Sequence, residues 1–185
     1  MVTNIPSEPD MLAIAHLGFH VARVRLNEAV SADRSPHECF VPAMEALYWA
    51  MTLDEQLSKL DPKYRDSEEP GRRLMHGMRY ARNQATHALP LLLERSEEGL
   101  TFPLSFPLEF VRMTWKPVED LPVPERPSAR QERCYRELLE GETVRKTLDR
   151  TADWFSWQQQ YGDVFSRTII PLVPSARGDE SSEKA

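Results

Sequence analysis

The sequence predicts a mainly α-helical bundle of four or five helices carrying one small β-hairpin, inserted at about residues 100–116. Three observations point there. Apolar residues recur with helical period through several long stretches. Ser35 with Glu38, and Ser128 with Gln131, form capping-box patterns at two helix starts. Only the segment between Glu98 and Pro117 changes texture, becoming rich in aromatic, β-branched and proline residues.

The first helix is expected from Asp10, a candidate N-cap, to near Val30, on the apolar positions Leu12, Ile14, Ala15, Leu17, Phe19, Val21, Ala22 and Leu26. A second opens at Ser35-Pro36-His37-Glu38, with proline at its first helical position. Pro42 lacks the amide hydrogen that the helical ladder needs, so the helix is expected to bend or restart there. "DPKYRDSEEPG" reads as a loop, and "RRLMHGMRYARNQATHA" as a third helix stopped by Pro90, which leaves His87 in its last turn.

"EFVRMTW" alternates with period two and supplies the hairpin, expected at an edge. "KPVEDLPVPERP" is an extended connector. "RCYRELLE" is then a helix closed near Gly141, and "ETVRKTLDRTADWFSWQQQ" begins another. The domain reading is a flexible N-terminus over 1–9, one helical-bundle domain over 10–173 and a disordered tail over 174–185.

A chain of 185 residues buries a sizeable core without disulfides or metal. Its formal charge of -6 excludes a surface coated in nucleic-acid-binding charge, so any RNA contact must be local. Cys39 and Cys134 are far apart and lack metal-site spacing, which predicts buried thiols in a reducing cytoplasm. The apolar part of the N-terminus is interrupted by His16, His20 and Arg23, so no membrane span is expected. No metal or other cofactor is expected. His16 and His20 have the spacing of a two-ligand metal site, but without an HExxH glutamate they read as core or interface histidines. Trp154, Phe155 and Trp157 read as aromatics by which a terminal helix docks.

The third helix carries the chemistry. On a helical wheel Arg72, His76, Arg79, Arg82, Asn83, Thr86 and His87 fall on one arc of roughly 140°. Leu74, Gly77, Met78, Ala81, Ala85 and Ala88 form the opposite packing face. No Asp or Glu occurs from Gly71 to Leu93, although the chain holds 29 acids against 23 bases. The arginines therefore either stand solvated, or pair with Glu45, Asp54 or Glu55 of a packed helix, or grip a phosphate. Arginine has a planar fork suited to phosphate oxygens, and histidine exchanges a proton near neutral pH.

Arg82-Asn83-Gln84-Ala85-Thr86-His87 resembles the R-x4-H motif of HEPN domains, with a polar residue after the arginine and a position late in a helix of a small bundle. The resemblance covers roughly residues 10–93. It implies a metal-independent endoribonuclease that acts as a homodimer with two motifs facing each other. The RNA's own 2′-hydroxyl attacks the neighbouring phosphate to give a 2′,3′-cyclic phosphate and a 5′-hydroxyl end. His87 would be the general acid or base, Arg82 would stabilise the phosphorane charge and Asn83 would orient one of them. Arg72, His76, Arg79 and Tyr80 are added from the wheel as substrate-binding residues. The implied setting is a cytoplasmic toxin or phage-defence effector, with an antitoxin protein as a further partner. The alternative is a non-catalytic helical interaction or regulatory module whose basic face pairs with acids.

Overall fold

The computed structural model of the chain describes residues 8–88, 92–96, 112–123 and 128–165, the side chains of 8–10, 87 and 88 excepted. Its helices are α1 (Glu8–Ser31), α2 (Pro36–Leu60), the one-turn α3 (Pro62–Arg65), α4 (Pro70–Ala88), α5 (Ala129–Leu138) and α6 (Val144–Tyr161). Strands β1 (Leu93–Ser96) and β2 (Arg112–Trp115) form one antiparallel pair, and a single 3-10 turn covers Val118–Asp120. This is the predicted helical bundle with a small hairpin. The tail 174–185 and the segment 97–111 lie outside the described residues.

Local chemistry sets the helix ends. Ser35 Oγ accepts from the Glu38 amide at 3.3 Å while Glu38 accepts from the Ser35 amide at 3.1 Å, completing the predicted capping box. Hydrogen bonding to Ser35 also holds the Glu38 carboxyl below its usual pKa. Asp61 caps α3 through the amides of Lys63 and Tyr64. Only half of the second box forms: Ser128 Oγ accepts from the Gln131 amide at 3.4 Å, but the Gln131 side chain turns to α4. Gly141, at φ 71, makes the left-handed turn between α5 and α6.

Four expectations are corrected. The first helix begins at Glu8, so Asp10 lies inside its first turn rather than capping it, and Pro9 suits that turn because its missing amide would have had no partner. α2 does not restart at Pro42, which is buried; packing along a 25-residue helix outweighs a lost ladder bond and a ring clash worth about 3 kcal/mol. The hairpin begins at Leu93 rather than near 100. Its "LERS" strand hides two charges among four residues, yet Leu93 pairs with Trp115 and both are fully buried. Nor is β2 an open edge: the Trp115 amide donates to Glu142 O at 3.1 Å, and the Gly141 amide donates to Trp115 O at 3.0 Å.

The core sits between α1, α2, α4 and α6. α1 contributes the row Leu12, Ala15, Phe19, Ala22 and Leu26, and α2 contributes Ala43, Leu47, Ala50 and Leu57. Small residues set the spacing between helices, as the wheel of α4 predicts. A Cβ on Gly77 would lie 2.8 Å from Leu139 Cδ1 and 3.0 Å from Cys134 O, so α5 rests directly on the α4 backbone. Gly18 likewise admits the Trp49 indole, whose ring atoms would stand 2.6 Å from an added Cβ. Cys39 and Cys134 are free and buried. No helix among the described residues is long and apolar enough to cross a membrane.

Candidate phosphate-handling site

α4 turns its polar arc towards α2, and α2 answers with two adjacent carboxylates. Asp54 occupies the α2 row that continues Leu47 and Ala50 into the core, and it has no exposure at all. It accepts from Arg72, from Arg79 Nη2 at 2.6 Å and from the Tyr64 hydroxyl at 2.9 Å. A buried carboxylate is stable only with such partners. Glu55, one residue on and nearer to solvent, accepts from Arg82 Nη2 at 2.9 Å and lies 3.7 Å from Arg79 Nη1.

The arc is therefore graded from core to surface. The Arg72 side chain is 7% exposed, Arg79 25% and Arg82 32%. Arg72 also donates to Ser58 Oγ at 3.2 Å, and its guanidinium lies 5.1 Å from the centre of the Tyr64 ring. Burial, with the Asp54 charge beside it, raises the Tyr64 hydroxyl well above its usual pKa, so it stays a neutral donor. Three guanidiniums share two carboxylates, which leaves one surplus positive charge in the cluster. Arg82 Nε is buried and has no hydrogen-bond partner among the described residues.

Asn83 lies beside Arg82, half-buried, and its Nδ2 donates to Gln131 Oε1 at 3.4 Å. Thr86 is exposed and ties its hydroxyl back to the Arg82 carbonyl at 2.8 Å. His87 falls in the last turn of α4, and its side chain lies outside the described residues.

Of the residues assigned to substrate binding, Arg72 and Tyr80 are buried. Arg72 is locked in the buried pair with Asp54 and cannot touch a ligand without opening the core. Tyr80 is 3% exposed: it points to the packing side, meets the Tyr135 ring at 5.1 Å between centroids, and accepts from Gln84 at 3.1 Å. His76 is half-buried, and burial first, then the Arg72 and Arg130 charges, lowers its pKa to about 4. Arg79 and Arg82 keep partial access.

Sequence reasoning weighed Asp54 and Glu55 as partners of the arginines, and the structure brings both to them, whereas Glu45 pairs with Arg25. It missed Ser58, Tyr64 and Gln131. A signal for the buried cluster existed, since a carboxylate on the row of Leu47, Ala50 and Leu57 must have a buried cation opposite.

The remaining constellations are structural. His16 and His20 bring their Nε2 atoms to 3.1 Å, and His16 packs on Phe165 at 5.5 Å between centroids. Burial lowers the pKa of both, that of His16 to about 4. No group of three or more His, Cys, Asp or Glu side chains among the described residues is placed to hold a metal ion. Trp154 and Phe155 are buried as expected. Trp157 stacks on Trp154 at 5.3 Å and stays exposed beside a hollow of about 330 Å³ lined by Gly71, Arg150 and Asp153.

No family model matches the chain, and neither a curated protein nor a solved structure matches it.

Proposed function

We propose that the chain is a metal-independent endoribonuclease of the HEPN type, working from the C-terminal end of α4. The observation that carries this reading is the surplus charge: Arg72, Arg79 and Arg82 share Asp54 and Glu55, and the outermost arginine, Arg82, stands five residues, about one and a half helical turns, before His87. The buried pairs fix the direction of the arc. The outer pair is the one that a phosphate would displace, because an exposed ion pair such as Arg82 with Glu55 is worth about 1 kcal/mol or less. A bidentate guanidinium–phosphate contact replaces it on favourable terms.

In this reading the substrate's 2′-oxygen attacks the adjacent phosphorus and the bond to the 5′-oxygen breaks. His87 moves the proton, taking it from the 2′-hydroxyl or giving it to the departing 5′-oxygen. Arg82 neutralises the charge that builds on the phosphorane oxygens, where preorganised donors act most strongly. Asn83 orients, and Arg79 adds a second cation one turn back. Two such sites facing each other in a homodimer would supply acid and base together.

The test is cleavage of a defined single-stranded RNA with excess EDTA present. A 2′,3′-cyclic phosphate product is expected, with His87→Ala and Arg82→Ala each lowering the rate by about 100-fold or more. RNA left intact by folded, dimeric wild-type protein would sink the nuclease reading. It would favour a non-catalytic helical interaction module, which the in-chain carboxylate found for every arginine of the arc also supports.

A further inference from the structure

From Met11 to Val24 every exposed side chain of α1 is apolar: Met11, Ile14, Leu17, Val21 and Val24, each between 37 and 49% exposed. The opposite side of the same helix is the buried row from Leu12 to Leu26. A helix apolar on both sides is normally covered on both sides. Among the described residues nothing of this chain covers the outer one.

We infer that a second copy of the chain docks on this face, with α1 of each protomer packed against α1 of the other about a two-fold axis. The spacing fits a helix seam: Ile14 with Val21, and Leu17 with Val24, are each seven residues apart, and alternate steps of three and four residues form the ridge that packs into a like ridge. An isologous interface must be complementary to itself. A face without an exposed charge over four turns meets its own copy without burying one. The first exposed charges come at its end: Arg25, already paired with Glu45, and Glu28. In an antiparallel pairing Glu28 comes beside the partner's helix N-terminus, whose dipole favours an acid.

The extent fits as well. The apolar surface continues onto α2 through Tyr48, 60% exposed, and Val41, 54% exposed, beside the close contact of Gly18 with Trp49. These seven residues expose roughly 600 Å², most of the roughly 800 Å² per partner that a standard stable interface buries. A membrane surface fits less well, because anionic lipid would repel a chain of charge -6 that has no basic cluster along this helix. Tyr48 and Glu55 are seven residues apart on one side of α2, so the edge of the interface lies about 10 Å along the helix from the Arg82 pair. The inference thus supplies the second copy that paired R-x4-H motifs call for, and in that respect it rests on the nuclease reading.

The experiment is light-scattering mass on the full chain, with Ile14→Glu and Val21→Glu as variants and a Leu17→Cys variant treated with a short bis-maleimide. Wild type is expected at twice the monomer mass. Each glutamate variant should fall to monomer mass with unchanged helical circular dichroism, and Leu17→Cys should cross-link in high yield where wild type does not. A monomeric wild type overturns the inference, including one that sediments with phospholipid vesicles instead. So does a dimer that survives both glutamates and leaves Leu17→Cys uncross-linked. The two readings fail separately: a dimer through α1 that leaves RNA intact removes the nuclease, whereas a monomer that cleaves RNA removes this interface.

Discussion

The outward side of α1 and the polar arc of α4 invert each other. In sequence, α4 is the helix with an unmatched charge face and α1 is the one that reads as buried. In the fold, the three arginines of the α4 arc, Arg72, Arg79 and Arg82, find carboxylates on α2, while α1 leaves five large apolar side chains in water. A helical wheel tells which residues share a side but not what stands opposite. For α4 the answer came from Asp54 and Glu55, about twenty residues upstream. For α1 the described residues offer none, and a second copy of the chain would supply it.

Removing the α2 carboxylate is the most severe way to break this comparison. Asp54→Ala leaves Arg72 buried beside Tyr64 without a counter-charge, and Arg79 loses its shorter ion pair. Stripping one partner from a buried pair costs about 3–5 kcal/mol. For a chain of this size that corresponds to a fall of about 10 °C or more in Tm. Removing a side chain from the outer side of α1, by contrast, should hardly change the stability of a monomer. Thermal melts of Asp54→Ala and Val21→Ala under conditions that keep the chain monomeric should separate them; equal losses would show that the arc is not held from within.

The next largest effect tests whether the α1–α2 contact is as close as the packing implies. Alanine at Gly18 would put its Cβ 2.6 Å from the Trp49 indole. Overpacking of this kind costs about 1–3 kcal/mol. Gly18→Ala should also shift Trp49, and with it the Tyr48 ring at 5.3 Å, so the proposed dimer face should weaken together with the fold. Tryptophan fluorescence and the dimer mass, measured on one sample, report both. A Gly18→Ala variant as stable as wild type would mean that Trp49 yields.

Much of this architecture was legible in the sequence because local signals dominate it. The Ser35 box and the Gly141 turn each depend on a few neighbouring residues. What was hidden depends on distant ones. The "LERS" strand exists because Trp115, some twenty residues on, pairs with Leu93. Pro42 is tolerated because core packing holds α2 together around it. At the candidate site the arc itself was legible, but its grading from Arg72 in the core to Arg82 at the surface was not, since it depends on which residues of α2 stand opposite. Tyr80 was misplaced because on the wheel it borders the polar arc, about 20° beyond His87, while in the fold α5 closes that border with the Tyr135 ring.

The smallest expected effect compares the two helices through their histidines. His16 on α1 and His76 on α4 both have a folded pKa lowered to about 4, with burial the first cause in each. Unfolded imidazole takes up its proton near pH 6.5. Between about 6.5 and 4 the unfolded chain therefore binds more protons than the folded one, and stability falls as the pH drops through that window, while above it these two groups contribute no slope. The His76 ring is partly open to water, so its site should lower Tm by only a few degrees, and buried His16 should lower it by at least as much. His16 faces His20 and Arg23, the latter paired with Asp149, whereas His76 faces Arg72, Arg79, Arg130 and Asp54. Added salt should thus soften the slope due to His76 more than that due to His16, because more charges act on His76. Melts of His16→Gln and His76→Gln at pH 5 and pH 7, each at low and high salt, measure the difference. A pH slope unchanged in both variants would mean that neither ring is held neutral by its surroundings, and the contrast between a charge-lined α4 and an apolar α1 would not extend to their histidines.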